Sequence, residues 1–87
     1  MLATEELQER IRQAPARAIA ARIRTARKEY GSHDSLAVAV GTSRQHLIKL
    51  EKGQHRPGAP MLIRIAAATG REVDWFIEDR DPFLEAA

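Results

Sequence analysis

The sequence contains no cysteine, and this absence excludes disulfides, thiolate metal sites and cysteine nucleophiles. It also fits a reducing compartment, so we expect a cytoplasmic location. The chain has 87 residues, so it can bury only a modest core, and no disulfide is present to stabilise that core. No apolar run approaches the roughly 20 residues needed to span a bilayer, and the acidic start MLATEELQERIRQ is unlike a signal peptide. We therefore expect one small domain and no membrane association.

Charge is nearly balanced overall but unevenly distributed along the chain. The net charge is +2, yet residues 15–34 hold five basic and two acidic side chains, and residues 44–56 hold four and one. Residues 71–87 reverse this balance, with two basic and six acidic side chains. The pattern fits a solvated charged surface, and it fits equally a basic face for a polyanion with the acidic end turned away. Charge by itself does not decide between these two interpretations.

The apolar spacing predicts an all-α protein, because no alternating β-strand pattern occurs. Residues 1–14 are interpreted as an N-terminal helical segment or arm, with Thr4 as its N-cap. The apolar residues of this segment, Leu2, Leu7 and Ile11, are compatible with pairing with a second copy and with docking on their own core. Residues 15–78 form the predicted domain, and residues 79–87 form an acidic C-terminal tail.

Glycines and a few polar caps divide residues 15–78 into five predicted helices. In the first helix, Ile19, Ile23, Ala26 and Tyr30 form a buried stripe. Its other faces are predicted to carry Arg17, Arg22, Arg24, Arg27 and Lys28. Later helices are predicted to begin at Ser32 or Asp34, at Ser43 and at Gly58, and to end at Gly41, Gly53 and Gly70.

The stretch "AVGTSRQHLIKLEKGQHRP" predicts two helices separated by a sharp turn. Gly41 supplies a left-handed backbone conformation that is cheap only for glycine, and Ser43 restarts the helix two residues later. This is the pattern of a helix-turn-helix unit. The first turn of the second helix carries side chains that suit base edges in a major groove, and these are Arg44, Gln45 and His46, with Lys49 one turn further on.

These residues resemble the DNA-binding domains of lambdoid phage repressors and Cro, the XRE-type helix-turn-helix family. The resemblance covers about residues 16–78 and rests on "LAVAVGTSRQHLIKLEKGQHRP", "LIRIAAATG" and "VDWF" in register. A helix-turn-helix match by itself is a weak signal, but these segments together are a strong one. The resemblance implies a compact five-helix, lambda-repressor-like domain, to which residues 1–14 add a helical segment.

The resemblance also implies roles for individual residues. The base-reading positions are Arg44, Gln45, His46 and Lys49. The implied phosphate contacts are Ser32, His33, Ser43, Lys52, Gln54, His55 and Arg56. Arg27 and Glu51 correspond to a structural ion pair of the family, so a mutation of Glu51 is expected to affect stability first.

The expected function is a sequence-specific transcriptional regulator, most simply a repressor that binds double-stranded operator DNA as a homodimer and lies on the nucleoid when bound. Trp75 and Phe76 are interpreted either as core residues or as a dimer contact. The alternative function is an antitoxin-type module that binds a toxin protein and represses its own operon. We expect no cofactor, no metal site and no enzyme activity, because the three histidines lack ligand spacing and "SHDS" does not make a catalytic triad.

Overall fold

The computed structural model describes residues 3–78, and within this range it contains six α-helices and no β-strand. The predicted acidic tail and Leu2 lie outside the described residues. The helices are α1 (Thr4–Gln13), α2 (Ala16–Tyr30), α3 (His33–Val40), α4 (Arg44–Glu51), α5 (Ala59–Thr69) and α6 (Val73–Phe76). The all-α prediction is therefore confirmed, with α1 as the additional N-terminal segment and α2–α6 as the five-helix domain. None of these helices has both the length and the apolarity needed to cross a membrane.

Helix α1 is docked on the rest of the domain. Leu7 is 3% exposed and Ile11 is fully buried, because both side chains enter the common core against α5. The side-chain carbonyl of Gln8 accepts a hydrogen bond of 3.0 Å from the Ala59 N–H, in the first turn of α5. The sequence was compatible with Leu7 and Ile11 pairing with a second copy or docking on their own core, and in the structure they dock on their own core. Thr4 is not the predicted N-cap, since the helix already begins at Thr4 and Ala3 occupies the cap position.

One continuous and mainly aliphatic core joins all six helices, with Phe76 as its contribution from α6. The predicted residues Ile19, Ile23 and Ala26 of α2 are buried in it, as are Leu47 and Leu50 of α4. Tyr30 is an exception, because it lies at the last position of α2 and its side chain is 42% exposed. The prediction that Tyr30 completes the buried stripe was therefore wrong: the stripe leaves the core before the helix ends.

The turn between α3 and α4 has the predicted geometry. Gly41 has φ 75° and ψ 37°, which is the left-handed region where a side chain is strained although nothing within 4 Å would touch it. The Thr42 N–H donates to the Ala37 carbonyl at 2.9 Å and so closes the end of α3. Ser43 then begins α4, because its hydroxyl accepts a hydrogen bond of 3.0 Å from the His46 N–H. These local interactions fix the angle at which α4 leaves the turn.

Arg22 is buried, although the sequence pattern placed it on an outer face of α2. Its side chain is 1% exposed, and its Nη1 donates to the carbonyls of Trp75 at 2.8 Å and Glu78 at 3.1 Å. Those carbonyls lie at α6 and just beyond it. Arg22 thus satisfies the end of the short helix α6 and holds it on α2.

Candidate nucleic-acid interface

Helix α4 presents one apolar face to the core and one polar face to solvent. Leu47 and Leu50 are buried, and they anchor the helix. Arg44, Gln45 and Lys49 are exposed on the other side, whereas the ring of His46 is half-buried. An isolated eight-residue helix is unstable in water, so this anchoring is what holds the polar side chains in a fixed arrangement.

A shallow cleft runs along the exposed side of α4. It has a volume of about 420 Å³ and is lined by Gln45, Ile48, Lys49, Lys52 and Gln54. The lining is polar and basic except for Ile48. Two of the predicted base-reading residues, Gln45 and Lys49, therefore share one surface with two of the predicted phosphate contacts, Lys52 and Gln54.

Arg44 is the most N-terminal of the predicted base-reading residues, and it contacts an acidic side chain of α3. Its Nε lies 3.6 Å from Oδ1 of Asp34, with 61% and 76% of the two side chains exposed. Such an exposed pair contributes little stability, and binding of a polyanion would compete for the guanidinium. Asp34 also places a negative charge beside the candidate interface. From the sequence, Asp34 was a possible helix cap and a member of the rejected "SHDS" triad, and its contact with Arg44 was not predicted.

We expect Asp34→Asn to raise the affinity for DNA a few-fold at low salt, because it frees Arg44 and removes a charge that repels phosphate. The same change should lower the free energy of unfolding by about 0.5 kcal/mol, since an acidic residue in the first turn of α3 is favoured by the helix dipole. Titration of a labelled duplex and chemical denaturation measure the two effects. Glu72→Asn is the matched control, as Glu72 is an exposed acid that lines neither the α4 cleft nor the α3–α4 turn. An equal gain in that variant would show that Asp34 acts only through net charge.

The hydroxyls of Ser32 and Ser43 are both engaged as helix caps. Ser32 Oγ accepts from the Ser35 N–H at 3.0 Å and contacts the Ser35 hydroxyl at 2.9 Å. Ser43 accepts from His46, as described above. Both serines remain exposed, so each cap places its hydroxyl at the surface beside the first N–H groups of a helix. This is the arrangement in which helix N-termini receive phosphate oxygens.

Arg27, His33 and Glu51 meet between α2, α3 and the end of α4. The carboxylate of Glu51 is 5% exposed and accepts from Arg27 Nη2 at 2.9 Å and from Arg27 Nε at 3.1 and 3.2 Å. His33 Nε2 lies 3.1 Å from Oε2 of the same carboxylate. The pair implied by the family resemblance is thus in contact. His33, for which a phosphate contact was predicted, has its Nε2 directed at Glu51.

The loop after α4 contains the remaining predicted phosphate contacts. Lys52 and Gln54 are exposed beside the α4 cleft, and the His55 ring lies edge-on to the His46 ring with centroids 5.9 Å apart. Arg56 is committed elsewhere, because its Nη1 donates to the carbonyls of Ile11 at 2.7 Å and Ala14 at 2.6 Å. Arg56 therefore joins the loop to the end of α1, a contact that the sequence pattern did not indicate because the two segments are more than forty residues apart.

We expect Arg56→Ala to lower the free energy of unfolding by about 1 kcal/mol, because two carbonyls at the end of α1 lose a charged donor. Lys52→Ala is the matched control, since Lys52 belongs to the same stretch but caps α4 with its backbone only. Lys52→Ala should leave the free energy of unfolding nearly unchanged. It should also reduce the slope of log affinity against log salt by the amount expected for one lost phosphate contact. Thermal melts and duplex titrations at several salt concentrations separate the two variants. If Arg56→Ala had the same melting temperature as the wild-type protein, the two carbonyl contacts would contribute nothing to stability.

The residues proposed for dimerisation occupy different environments. Phe76 is fully buried in the core of its own chain, so it is not available to a second copy without unfolding α6. Trp75 is half-buried, with its ring edge-on to Phe76 and the Arg71 guanidinium 3.8 Å from its centroid. Of the two predicted roles, core residue or dimer contact, Phe76 therefore has the first. Part of the Trp75 side chain remains exposed.

The described residues contain no group of three or more histidine and acidic side chains that could hold a metal ion. His46 and His55 are in contact, but His33 lies on Glu51 at the other end of α4. Ser32 caps α3 with its hydroxyl, and its neighbours His33 and Asp34 contact Glu51 and Arg44. Ser32, His33 and Asp34 therefore contact three different residues, so they are not hydrogen-bonded to one another as a catalytic triad would be.

Comparison with known proteins agrees with this arrangement. The model of the helix-turn-helix family matches residues 23–76, a range that includes the α3–α4 unit. An uncharacterized HTH-type transcriptional regulator from Methanothermobacter thermautotrophicus is 48% identical over 62 residues, which cover 68% of this chain and 90% of that protein. No solved structure matches the chain significantly. The fold, the glycine turn and both similarities lead to one conclusion: the chain belongs to the XRE-type helix-turn-helix family.

Proposed function

We propose that the chain is a sequence-specific transcriptional regulator that represses by binding double-stranded operator DNA. The name of the Methanothermobacter relative, a transcriptional regulator, supports the coarser part of this proposal. The observation that carries the finer part is the first turn of α4, where Arg44 and Gln45 are exposed while Leu47 anchors the helix. Repression would follow from occlusion, because a protein bound at an operator blocks the polymerase or a competing regulator.

Each exposed side chain of α4 has a suitable chemistry for its proposed role. An arginine pairs in bidentate fashion with guanine, and a glutamine does so with adenine, so Arg44 and Gln45 are the proposed readers of two neighbouring base pairs. Lys49 lies one turn further along the same face and extends the contact. The half-buried His46 is the fourth proposed reader. Its ring is already supported by His55, which limits the directions in which it can point.

Proposed phosphate contacts surround this reading face. They are the capped helix N-termini at Ser32 and Ser43, together with Lys52 and Gln54, which line the α4 cleft. Contacts of this kind set affinity and register, whereas the base contacts set the choice of sequence. His33 contacts Glu51, and Arg56 binds the carbonyls at the end of α1, so both residues support the structure of the interface. A phosphate could contact either of them only at the nitrogen atoms that these interactions leave unused.

One such domain reads only half a site, so we propose a homodimer on a near-palindromic operator. The centres of the two half-sites would lie about 34–36 Å apart, one turn of the duplex. The exposed part of Trp75, with Arg71 stacked on it, is the proposed dimer contact among the described residues. A cytoplasmic protein that lies on the nucleoid when bound fits this role.

In-vitro selection from a random duplex library tests the proposal. We expect the 87-residue protein to enrich a palindrome, and the spacing of its halves would give the geometry of the dimer. A single, non-repeated site would retain sequence reading but contradict the homodimer. No enrichment, with only weak salt-sensitive binding, would contradict sequence reading itself and direct the search to a protein partner such as a toxin.

A further inference from the structure

Most basic side chains of the described residues already have a partner. Acidic side chains lie within 4 Å of Arg10, Arg12, Arg22, Arg27, Arg44 and Arg71, and Arg56 donates to two carbonyls. Five others, Arg24, Lys28, Lys49, Lys52 and Arg64, have no hydrogen bond, ion pair or ring contact within residues 3–78. A charge without an internal partner is available to an external one.

Four of these five side chains lie on one surface. The α4 cleft is lined by Lys49 and Lys52, and a second cleft of about 290 Å³ is lined by Arg24, Lys52 and Glu51 among others. A third cleft, of about 530 Å³, continues from Lys52 and Arg24 to Lys28 along α2. Because Lys52 lines all three, the surface is continuous from α4 to the outer side of α2. We call Arg24 and Lys28 the α2 basic edge.

Little negative charge offsets this surface. Glu51 is the acidic residue that lines the second and third clefts, but its carboxylate is 5% exposed and is bound by Arg27. Arg24 and Lys28 are also four residues apart on one helix, so their like charges face each other, which disfavours the free protein. A polyanion on the α2 basic edge would relieve this repulsion.

We propose that the α2 basic edge binds the phosphodiester backbone of the same duplex that α4 reads, at phosphates beside the bases that α4 contacts. This inference rests on the proposed function and adds a binding surface to it. Four residues of α2, a rise of about 6 Å, separate Arg24 from Lys28. Each strand of a duplex carries one charge per roughly 3.4 Å of the helix axis, so one backbone on this surface offers phosphates to both side chains. The edge adds affinity and footprint, and it carries no base preference of its own.

The test compares two double variants that each remove two positive charges. Arg24→Gln with Lys28→Gln removes the α2 basic edge. Arg12→Gln with Arg64→Gln is the control, since these exposed side chains line none of the three clefts. The affinity for the selected duplex is measured over a range of salt concentrations, after thermal melts have verified that both variants fold. Phosphate-ethylation interference with the same duplex then locates the contacts.

We expect the slope of log affinity against log salt to be smaller in magnitude by about 1.8 in the edge variant, which is about 0.9 for each lost phosphate contact. It should select the same sequence as the wild-type protein and lose interference at the flanking phosphates. The control should retain the wild-type slope and interference pattern. An edge variant with the same slope as the control would overturn the inference and leave the proposed function intact.

Failure of the proposed function gives a different result. If the wild-type protein selects no sequence, base reading by α4 is refuted, and the slope is then measured on an arbitrary duplex. A flatter slope in the edge variant would still support backbone binding by α2. An unchanged slope would overturn both proposals.

Discussion

Glu51→Ala is expected to lower the free energy of unfolding by about 3 kcal/mol, because it leaves the guanidinium of Arg27 without its partner. The side chains of Arg27 and Glu51 are only 14% and 5% exposed, so water cannot replace the lost contacts fully. His33 would also lose the carboxylate 3.1 Å from its Nε2. For a domain of this size the loss corresponds to a melting temperature more than about 10 °C lower. Chemical and thermal denaturation followed by circular dichroism measure it.

Glu29→Ala is the matched control for the Glu51 variant. Glu29 pairs with Arg71, but 62% of its side chain is exposed, so its removal should cost less than about 1 kcal/mol. Replacing both members of the buried pair, Arg27→Leu with Glu51→Leu, should cost less than the sum of the single changes, since no charge is left unpaired. A Glu51→Ala protein as stable as the Glu29→Ala protein would contradict a structural role for the pair.

Arg44→Ala should weaken binding to the selected operator by about 1–3 kcal/mol, which is roughly a 5- to 150-fold loss of affinity. The guanidinium is 61% exposed and loosely paired, so its removal should hardly affect the fold. Because an arginine reads one base pair, the preference should relax at one operator position and persist at the others. Competition titrations with operators that carry single base-pair changes measure both effects.

Arg44→Lys distinguishes base reading from charge. Lysine keeps the positive charge but lacks the planar fork that binds guanine in bidentate fashion, so this variant should also relax the preference while keeping its affinity for arbitrary DNA. A loss in Arg44→Ala that is equal for all sequences, and is restored by Arg44→Lys, would instead make Arg44 a phosphate contact. The two variants together therefore decide the role of the residue.

The sequence predicted the parts of this fold that depend on neighbouring residues. Ser43 caps α4 and Gly41 turns the chain because each interaction involves atoms within a few positions, and the same holds for Ser32 and Gly70. The apolar spacing likewise identified Leu47 and Leu50 as the anchors of α4. From these local rules, the exposed face of α4 and the candidate base-reading residues followed directly.

Contacts between distant residues were not predictable in the same way. A helical pattern counts Arg22 as polar and therefore exposed, but its long side chain reaches carbonyls more than fifty positions away at α6. The family resemblance implied that Arg56 contacts a phosphate, yet the carbonyls of Ile11 and Ala14, at the end of α1, occupy its Nη1. Tyr30 continued the apolar stripe but lies where the helix leaves the core.

By itself, then, the sequence determined six helical segments, the turn at Gly41 and the polar face of α4, because caps, glycine conformations and apolar spacing act over one or two helical turns. Only the tertiary structure decided which basic side chains have a partner within the protein and which do not. It buried Arg22, tied Arg56 to α1 and His33 to Glu51, and left the α2 basic edge open beside Lys52. The physical reason is that a basic side chain can bind an external anion only where no acidic group or carbonyl of the protein already contacts it. Packing decides this, because it brings together residues that are far apart in the chain.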